Sequence, residues 1–227
     1  MSLLPNTRQI RDYKKIFVFD VETTGLNPKQ ADIIELGGVL LEQTKGMFKI
    51  VKKINVLVKV IDALPKKITE LTNITDAMLL KDGIDGWELA DILEAIFIEK
   101  PLLVAYNLHF DIGFIHAIME RYKPIFKITM DVLDMLTVYK DYHPYPHRLE
   151  NAIERYQIQF PNSHRAIDDT LATTELFKKM HHAFKIDTYI NVLGFNPKFG
   201  LKGYKLPYVR YLPQSNEPKS IYHQVKD

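Results

Sequence analysis

The sequence predicts an α/β fold: a mixed sheet, read as five-stranded, covered on its faces by helices. Three observations point there. The run Ile16, Phe17, Val18, Phe19 reads as a buried strand, and two longer strand-like runs follow at 33–41 and 48–60, so the sheet starts antiparallel. From residue 86 onward, helical and strand-like patterns alternate, as they do where helices cover a partly parallel sheet. The chain has 227 residues, 46% of them hydrophobic, enough for one sizeable core with an appendage.

Taken in order, the first two long runs are joined by a turn at Thr44, Lys45 and Gly46, and the second alternates through Ile54, Val56, Val58 and Val60 as a half-buried strand should. Residues 61–86 form a long connection with Pro65, Asn73, Gly83 and Gly86, read as short helices or a functional cover. Trp87, Ala90, Ile92, Leu93, Ile96 and Phe97 have helical spacing, with Trp87 expected in the core, and Pro101 ends that helix. A short buried strand is expected at 102–106, a helix at 111–122 stopped by Pro124, a strand at 125–128 and a helix at 131–140. A Pro-rich turn at 142–146 precedes helices at 148–156 and 166–183, which are separated by a loop at 159–164. The resulting division is an N-terminal extension at 1–14, a main domain at 15–183 and a C-terminal extension at 184–227.

The formal net charge is only +2, which excludes binding of nucleic acid through a whole-molecule basic field. The charge is unevenly spread. Residues 184–227 hold seven Lys/Arg against three acids, a balance of +4, which leaves −2 for 1–183. There is no Cys, so disulfides and thiolate metal sites are excluded, and a reducing cytoplasm fits. The start lacks an apolar targeting core, and no run approaches the ~18 apolar residues of a membrane span. The expectation is a soluble cytoplasmic protein with no membrane partner.

Chemistry-bearing residues fall in three places. In Phe19-Asp20-Val21-Glu22-Thr23-Thr24-Gly25-Leu26, a continuing strand projects Asp20 and Glu22 to the same face, where two like charges call for a cation between them. The alternative is a strand that ends at Phe19, with both carboxylates solvated in a turn. Asp111, in Asn107-Leu108-His109-Phe110-Asp111, follows a buried strand and opens a helix; it is either an N-cap or a site residue at the strand end. In His164-Arg165-Ala166-Ile167-Asp168-Asp169, Asp169 shares a helical face with Ala172 and Leu176, whereas Asp168 is turned about 100° away. His164 belongs to the preceding loop. Asp20, Glu22, Asp111 and Asp169 together form a hard-oxygen set suited to Mg²⁺ or Mn²⁺. His143 and His147 are at i and i+4, but Pro144 and Pro146 preclude a regular helix between them, which disfavours a second metal pair.

These three motifs, in this order and spacing, resemble the DnaQ-like 3′–5′ exonucleases with an Asp-Glu-Asp-Asp-His active site, a family that includes bacterial polymerase proofreading exonucleases of the epsilon and PolC types. Weaker matches lie at Ile33-Ile34-Glu35-Leu36-Gly37, at Pro65 with Leu71-Thr72-Asn73-Ile74-Thr75 and Met78, and at Leu149-Glu150-Asn151-Ala152. The resemblance covers about residues 15–183. Asn73 stands where the family usually has Gly, and Val132 follows Asp131 where Thr is frequent, so Asp131 is read as structural. The resemblance implies a ribonuclease H-like fold and hydrolysis with two divalent ions, Mg²⁺ or Mn²⁺. Asp20, Glu22 and Asp169 would hold one ion, Asp20 would bridge to the second, and Asp111 would support the second. His164 would take the proton of the attacking water, and the product would be a 5′-mononucleotide. By the same likeness Thr23, Thr24 and Leu26 would seat the terminal nucleotide, and Asn107 and Phe110 would hold the scissile end. The implied partners are nucleic-acid 3′ ends, above all single-stranded DNA, and a DNA polymerase, in replication or repair. An exoribonuclease and a non-catalytic nucleic-acid or polymerase scaffold are the alternatives.

The extension at 184–227 holds eight Phe/Tyr and four Pro beside its basic charge and matches none of these motifs. Basic charge interleaved with aromatics suits single-strand binding. Packing of Phe195, Phe199, Tyr204, Tyr208 and Tyr211 onto the domain, or onto a partner, is the favoured alternative.

Overall fold

The computed structural model describes residues 8–44, 46–160 and 164–226. Its main sheet has five strands: β1 (Lys15–Thr23), β2 (Ile33–Thr44), β3 (Met47–Leu57), β4 (Leu102–Ala105) and β5 (Val132–Asp134). Their spatial order is β3-β2-β1-β4-β5, with β1, β2 and β3 antiparallel and β4 and β5 parallel to β1. The helices are α1 (Lys66–Thr72), α2 (Asp76–Asp82), α3 (Gly86–Phe97), α4 (Leu108–Tyr122), α5 (Met135–Tyr142), α6 (Leu149–Arg155) and α7 (Ala166–Ala183). This is the mixed, helix-covered sheet that the sequence predicts.

Both faces of β1 are covered, which is why its apolar run is continuous. Phe17, Phe19 and Val21 pack with residues of α3 and α4, whereas Ile16 and Val18 pack with residues of α5 and α7. The period of two therefore turns Asp20 and Glu22 toward the α7 layer. That layer approaches closely at Gly37, the partner of Asp20 across β1 and β2. A Cβ at Gly37 would lie 2.2 Å from the backbone carbon of Ala166, so only a residue without a side chain lets α7 begin there.

Four expectations need correction. Residues 125–128 form no strand, and Ile125 is 93% exposed; the next strand is β5. No helix starts at Asp131, because Asp134 caps α5, accepting from the amides of Leu136 and Thr137 (both 3.2 Å). The helix expected from Asp111 starts at Leu108, so Asp111 lies inside its first turn and is not the cap. Trp87 is half-exposed, because α3 buries Leu89, Ala90, Leu93, Ile96 and Phe97 and carries Trp87 off that face. The long connection resolves into α1 and α2, and Asn73 closes α1 with φ 58°, the left-handed geometry for which Asn is suited. Residues 1–7, Lys45 in the first turn and 161–163 in the loop before α7 lie outside the described residues.

The C-terminal segment packs on the domain. It forms a parallel pair, β6 (Val192–Phe195) and β7 (Arg210–Pro213), and a short helix α8 (Tyr222–Lys226). Tyr189 donates to Asp141 Oδ2 (2.5 Å), Ile221 N to Asp141 Oδ1 (3.0 Å), and the Tyr208 hydroxyl to the carbonyl of Met130 (2.7 Å). Asp131 accepts from Arg8, Tyr13 and Asn191 at 2.6–2.7 Å, a structural role for that residue. Tyr204, Tyr208 and Tyr211 pack against the main core, while Phe199 is 65% exposed. Among the described residues no helix is long and apolar enough to cross a membrane.

Gly37→Ala should lower the unfolding free energy by about 1–3 kcal/mol through overpacking under α7, read by urea denaturation. An unchanged midpoint would show that α7 can lift from the sheet without cost.

Candidate active site

The site forms where β1 outruns its parallel neighbour. Pairing of β1 with β4 ends at Val18 and Val104, but pairing with β2 continues to Thr23 and Ile33. β4 itself ends at Ala105, so β1 runs on past its parallel neighbour at the C-terminal ends of both strands, where α/β sheets place their ligands. The freed amide of Val21 donates to Asp111 Oδ1 (3.1 Å), which fixes that carboxylate at the strand end. The helix carrying it is set by Asn107, at φ 69°, whose amide donates to Asp134 Oδ1 (3.0 Å) together with that of Leu108 (3.1 Å).

From the other side α7 brings Asp169. Its first turn is tied to β2 by Glu35, which is fully buried and accepts from Arg165 Nη2 (2.6 Å), Arg165 Nε (3.0 Å) and the amide of Ala166 (2.9 Å). Because Glu35 pairs with Glu22 across β1 and β2, this clamp sets Asp169 directly over the strand end. Carboxylate oxygens of Asp20, Glu22 and Asp169 all lie within 4.8 Å of one another. Asp111 stands outside that trio.

Burial and like charge raise Asp20, Glu22, Asp111 and Asp169. Burial is the main cause of the upward shift at Asp20, with Asp111, Asp169 and Glu22 adding repulsion. Burial also pushes Glu22 up to about 8, repulsion from Asp169 and Glu35 adding to it and Arg165 opposing it. Asp169 is pushed up to about 7, by burial and then by Asp168 and Glu35. Burial raises Asp111 well above the usual range, and the Val21 amide works against it. Asp169 Oδ1 is buried without a hydrogen-bond partner. An all-oxygen trio that repels itself and leaves one buried oxygen without a donor fits a hard divalent cation.

The remaining predicted residues flank this point. His164 is exposed, at φ 53°, one residue before the clamped Arg165. The Thr23 hydroxyl donates to the Gly25 carbonyl (2.7 Å) and the Thr24 hydroxyl accepts from the Asp32 amide (3.0 Å), so both shape the turn that presents Leu26, which is 86% exposed. Leu26, Asn107 and Phe110 line one cleft of about 530 Å³, a volume in the range of ligand sites. Glu35, Arg165, Gly37 and Asp134, none of which was assigned a site role from sequence, build the supports. Glu35 and Arg165 are 130 residues apart, and no local pattern pairs them.

Two outcomes follow from this geometry. Without metal, the raised Glu22 and Asp169 make the folded chain bind protons more tightly than the unfolded one, whose carboxyls titrate near pH 4. Their contribution is fully present below about pH 4 and is lost as the pH rises through about 7 and 8. Urea unfolding in chelator should therefore show stability falling from about pH 4 until it levels off above about 8, and within the window from about 6.5 to 8 the fall should be less steep in Glu22→Gln. That window lies above the range of His143, whose ring burial pushes down to about 4. A flat profile, or one identical in the variant, would contradict the arrangement. Separately, Glu35→Gln should cost about 1.5–3 kcal/mol and speed hydrogen exchange at the amides of 166–169, since it weakens charge-assisted bonds to Arg165 and Ala166.

Known proteins resemble the chain in sequence and in fold. Residues 17–177 match the RNase T exonuclease family. The chain is similar to the PolC-type DNA polymerase III of Bacillus subtilis strain 168, 35% identical over 167 residues, which are 72% of this chain and 11% of that protein. Similarity to the PolC-type DNA polymerase III of Staphylococcus epidermidis is 33% over 199 residues, 86% of this chain and 13% of the relative. The chain thus spans little more than a tenth of the length of these relatives. In fold it resembles E. coli Exonuclease I in complex with a dT13 oligonucleotide, with a TM-score of 0.65 at 19% identity over 74% of this chain and 41% of that one. The zinc-ion-bound form of the Exonuclease I complex with single-stranded DNA gives 0.67 at 18% identity, over 75% and 41%. With its ribonuclease H-like sheet and its family match over most of its length, the chain belongs to the RNase T family of exonucleases, hydrolases of phosphodiester bonds.

Proposed function

We propose that this chain is a metal-dependent 3′–5′ exonuclease that removes 5′-mononucleotides from single-stranded DNA ends, in proofreading or repair in the cytoplasm. The observation that carries this reading is the convergence of Asp20, Glu22 and Asp169 within 4.8 Å at the C-terminal end of β1, beside a cleft with room for a terminal nucleotide. The names of its relatives support DNA over RNA: they are DNA polymerases, and the Exonuclease I structures hold DNA oligonucleotides. A DNA polymerase is the corresponding protein partner.

Two divalent ions, Mg²⁺ or Mn²⁺, would be held by Asp20, Glu22 and Asp169, with Asp111 supporting the second. When bound, they supply Lewis acidity to the attacking water and offset charge at the phosphate and the leaving 3′ oxygen. The protein's own part is positioning and proton transfer. His164 accepts the proton of the attacking water at a ring nitrogen. It is tethered for this by Arg165, which Glu35 holds, while its own side chain stays exposed. Leu26 packs against the terminal nucleotide from the turn shaped by Thr23 and Thr24, and Asn107 and Phe110 hold the scissile end from the first turn of α4. The hydrophobic contacts orient the strand, and the carboxylates meet its phosphate only through the cations.

The test is release of nucleotides from 5′-labelled single strands of DNA and RNA with Mg²⁺ or Mn²⁺. Shortening from the 3′ end is expected, and Asp20→Asn should lower it at least about 100-fold, since even residues that only orient metal ligands are worth about 10–100-fold. No release with either metal, or equal release by Asp20→Asn, would refute the reading. Faster release from RNA would replace DNA with RNA as the substrate.

A further inference from the structure

The cleft beside the carboxylates has a wall that comes from the C-terminal segment. Besides Leu26, Asn107 and Phe110 the cleft is lined by Lys202, Gly203 and Tyr204, from the connection between β6 and β7. A second cavity, of about 570 Å³, adjoins the first and shares Asn27, Pro28, Gly113, Gly203 and Tyr204 with it. The first borders α4 from Asn107 to Phe114 and the second from Gly113 to Glu120. At 1.5 Å per residue the two make one trough about 20 Å long, leading away from the carboxylates along α4. One terminal nucleotide does not fill it.

The wall is fixed in place. A ring nitrogen of His109 bonds the carbonyl of Lys202, and the Tyr204 ring stacks on His116 with centroids 3.5 Å apart and planes 19° apart. Leu206 is buried, and its amide donates to the Tyr211 hydroxyl (2.8 Å). The charge on its rim is cationic: the exposed Lys29, Lys202 and Lys205 line the trough, against the single carboxylate of Glu120, which lies 3.9 Å from His116 Nδ1. Gly113 and Gly203, both without side chains, leave the floor and rim open.

We infer that residues 202–205 form one wall of a subsite for the single strand on the 5′ side of the terminal nucleotide, with Lys202 and Lys205 contacting its phosphates. This rests on the exonuclease reading above and extends it. A strand entering at Leu26 and Asn107 continues over α4, between the turn of Asn27, Pro28 and Lys29 on one side and this wall on the other. Its phosphates meet lysines there instead of the acidic edge, which is how a chain of low net charge binds a polyanion locally.

The test is binding of a labelled oligothymidylate by the full chain in an Asp20→Asn background, where turnover is suppressed, across a range of salt. Adding Lys202→Ala and Lys205→Ala should raise Kd about ten-fold and flatten the slope of log Kd against log salt by up to about 1.4, at ~0.7 per phosphate contact on a single strand. Both lysines are exposed, so the variant keeps the fold, which an unchanged thermal melt verifies. A Kd within about two-fold and an unaltered slope would overturn the inference. Strand affinity that depends on these lysines, in a chain whose wild type releases no nucleotide, would support the wall and refute the exonuclease reading alone.

Discussion

Mutual repulsion among Asp20, Glu22, Asp169 and Asp111 is the constraint that the rest of the structure answers. Each is raised by burial and by its neighbours, so the fold must hold together groups that would separate if free. It does so from three directions. The sheet fixes Asp20 and Glu22 through pairing with β2, the amide of Val21 holds Asp111, and Glu35 with Arg165 anchors the helix of Asp169. Glu35 adds a fifth carboxylate beneath the site, tolerated because a guanidinium and an amide saturate it.

What could be read from the sequence was what local periodicity encodes. The run at β1 and the alternation through β3 place their strands, and the spacing from Ala166 to Ala183 gives α7 as observed. The placement of Asp20 and Glu22 on one face follows from the period of two. Where local pattern was too short, the reading failed. Strand β5 has three residues, fewer than any periodicity can declare, and the apolar run after Pro124 drew attention from it. The sequence predicts a helix from Asp131, and only the packing shows that this residue binds Arg8, Tyr13 and Asn191 while Asp134 caps α5. Trp87 has the hydrophobicity of a core residue but lies on the wrong side of α3.

The site showed the same division. Carboxylates were legible because residue type, order and spacing name their chemistry. Their supports were not, because Glu35 and Arg165 meet across 130 residues and Gly37 matters only for what lies above it. Packing of the C-terminal segment on the domain was legible from its aromatics, but its elements and contacts were not, for a related reason. Its aromatics follow no period because they fill gaps left by the body, and its polar anchors, Asp131, Asp141 and Thr137, belong to the body.

Thr137 and Asp134 give that docking a further meaning. The amide of Gly194 in β6 donates to Thr137 Oγ1, which itself donates to Asp134 Oδ2, while Asp134 Oδ1 receives the amides of Asn107 and Leu108. A continuous polar relay, buried over most of its length, thus runs from the C-terminal strand pair to the lip of the cleft, and its members polarise one another. In mechanical terms the C-terminal segment is a brace. The left-handed turn at Asn107 keeps its strained shape through bonds that end in β6, so the rigidity of the cleft is borrowed from the far end of the chain.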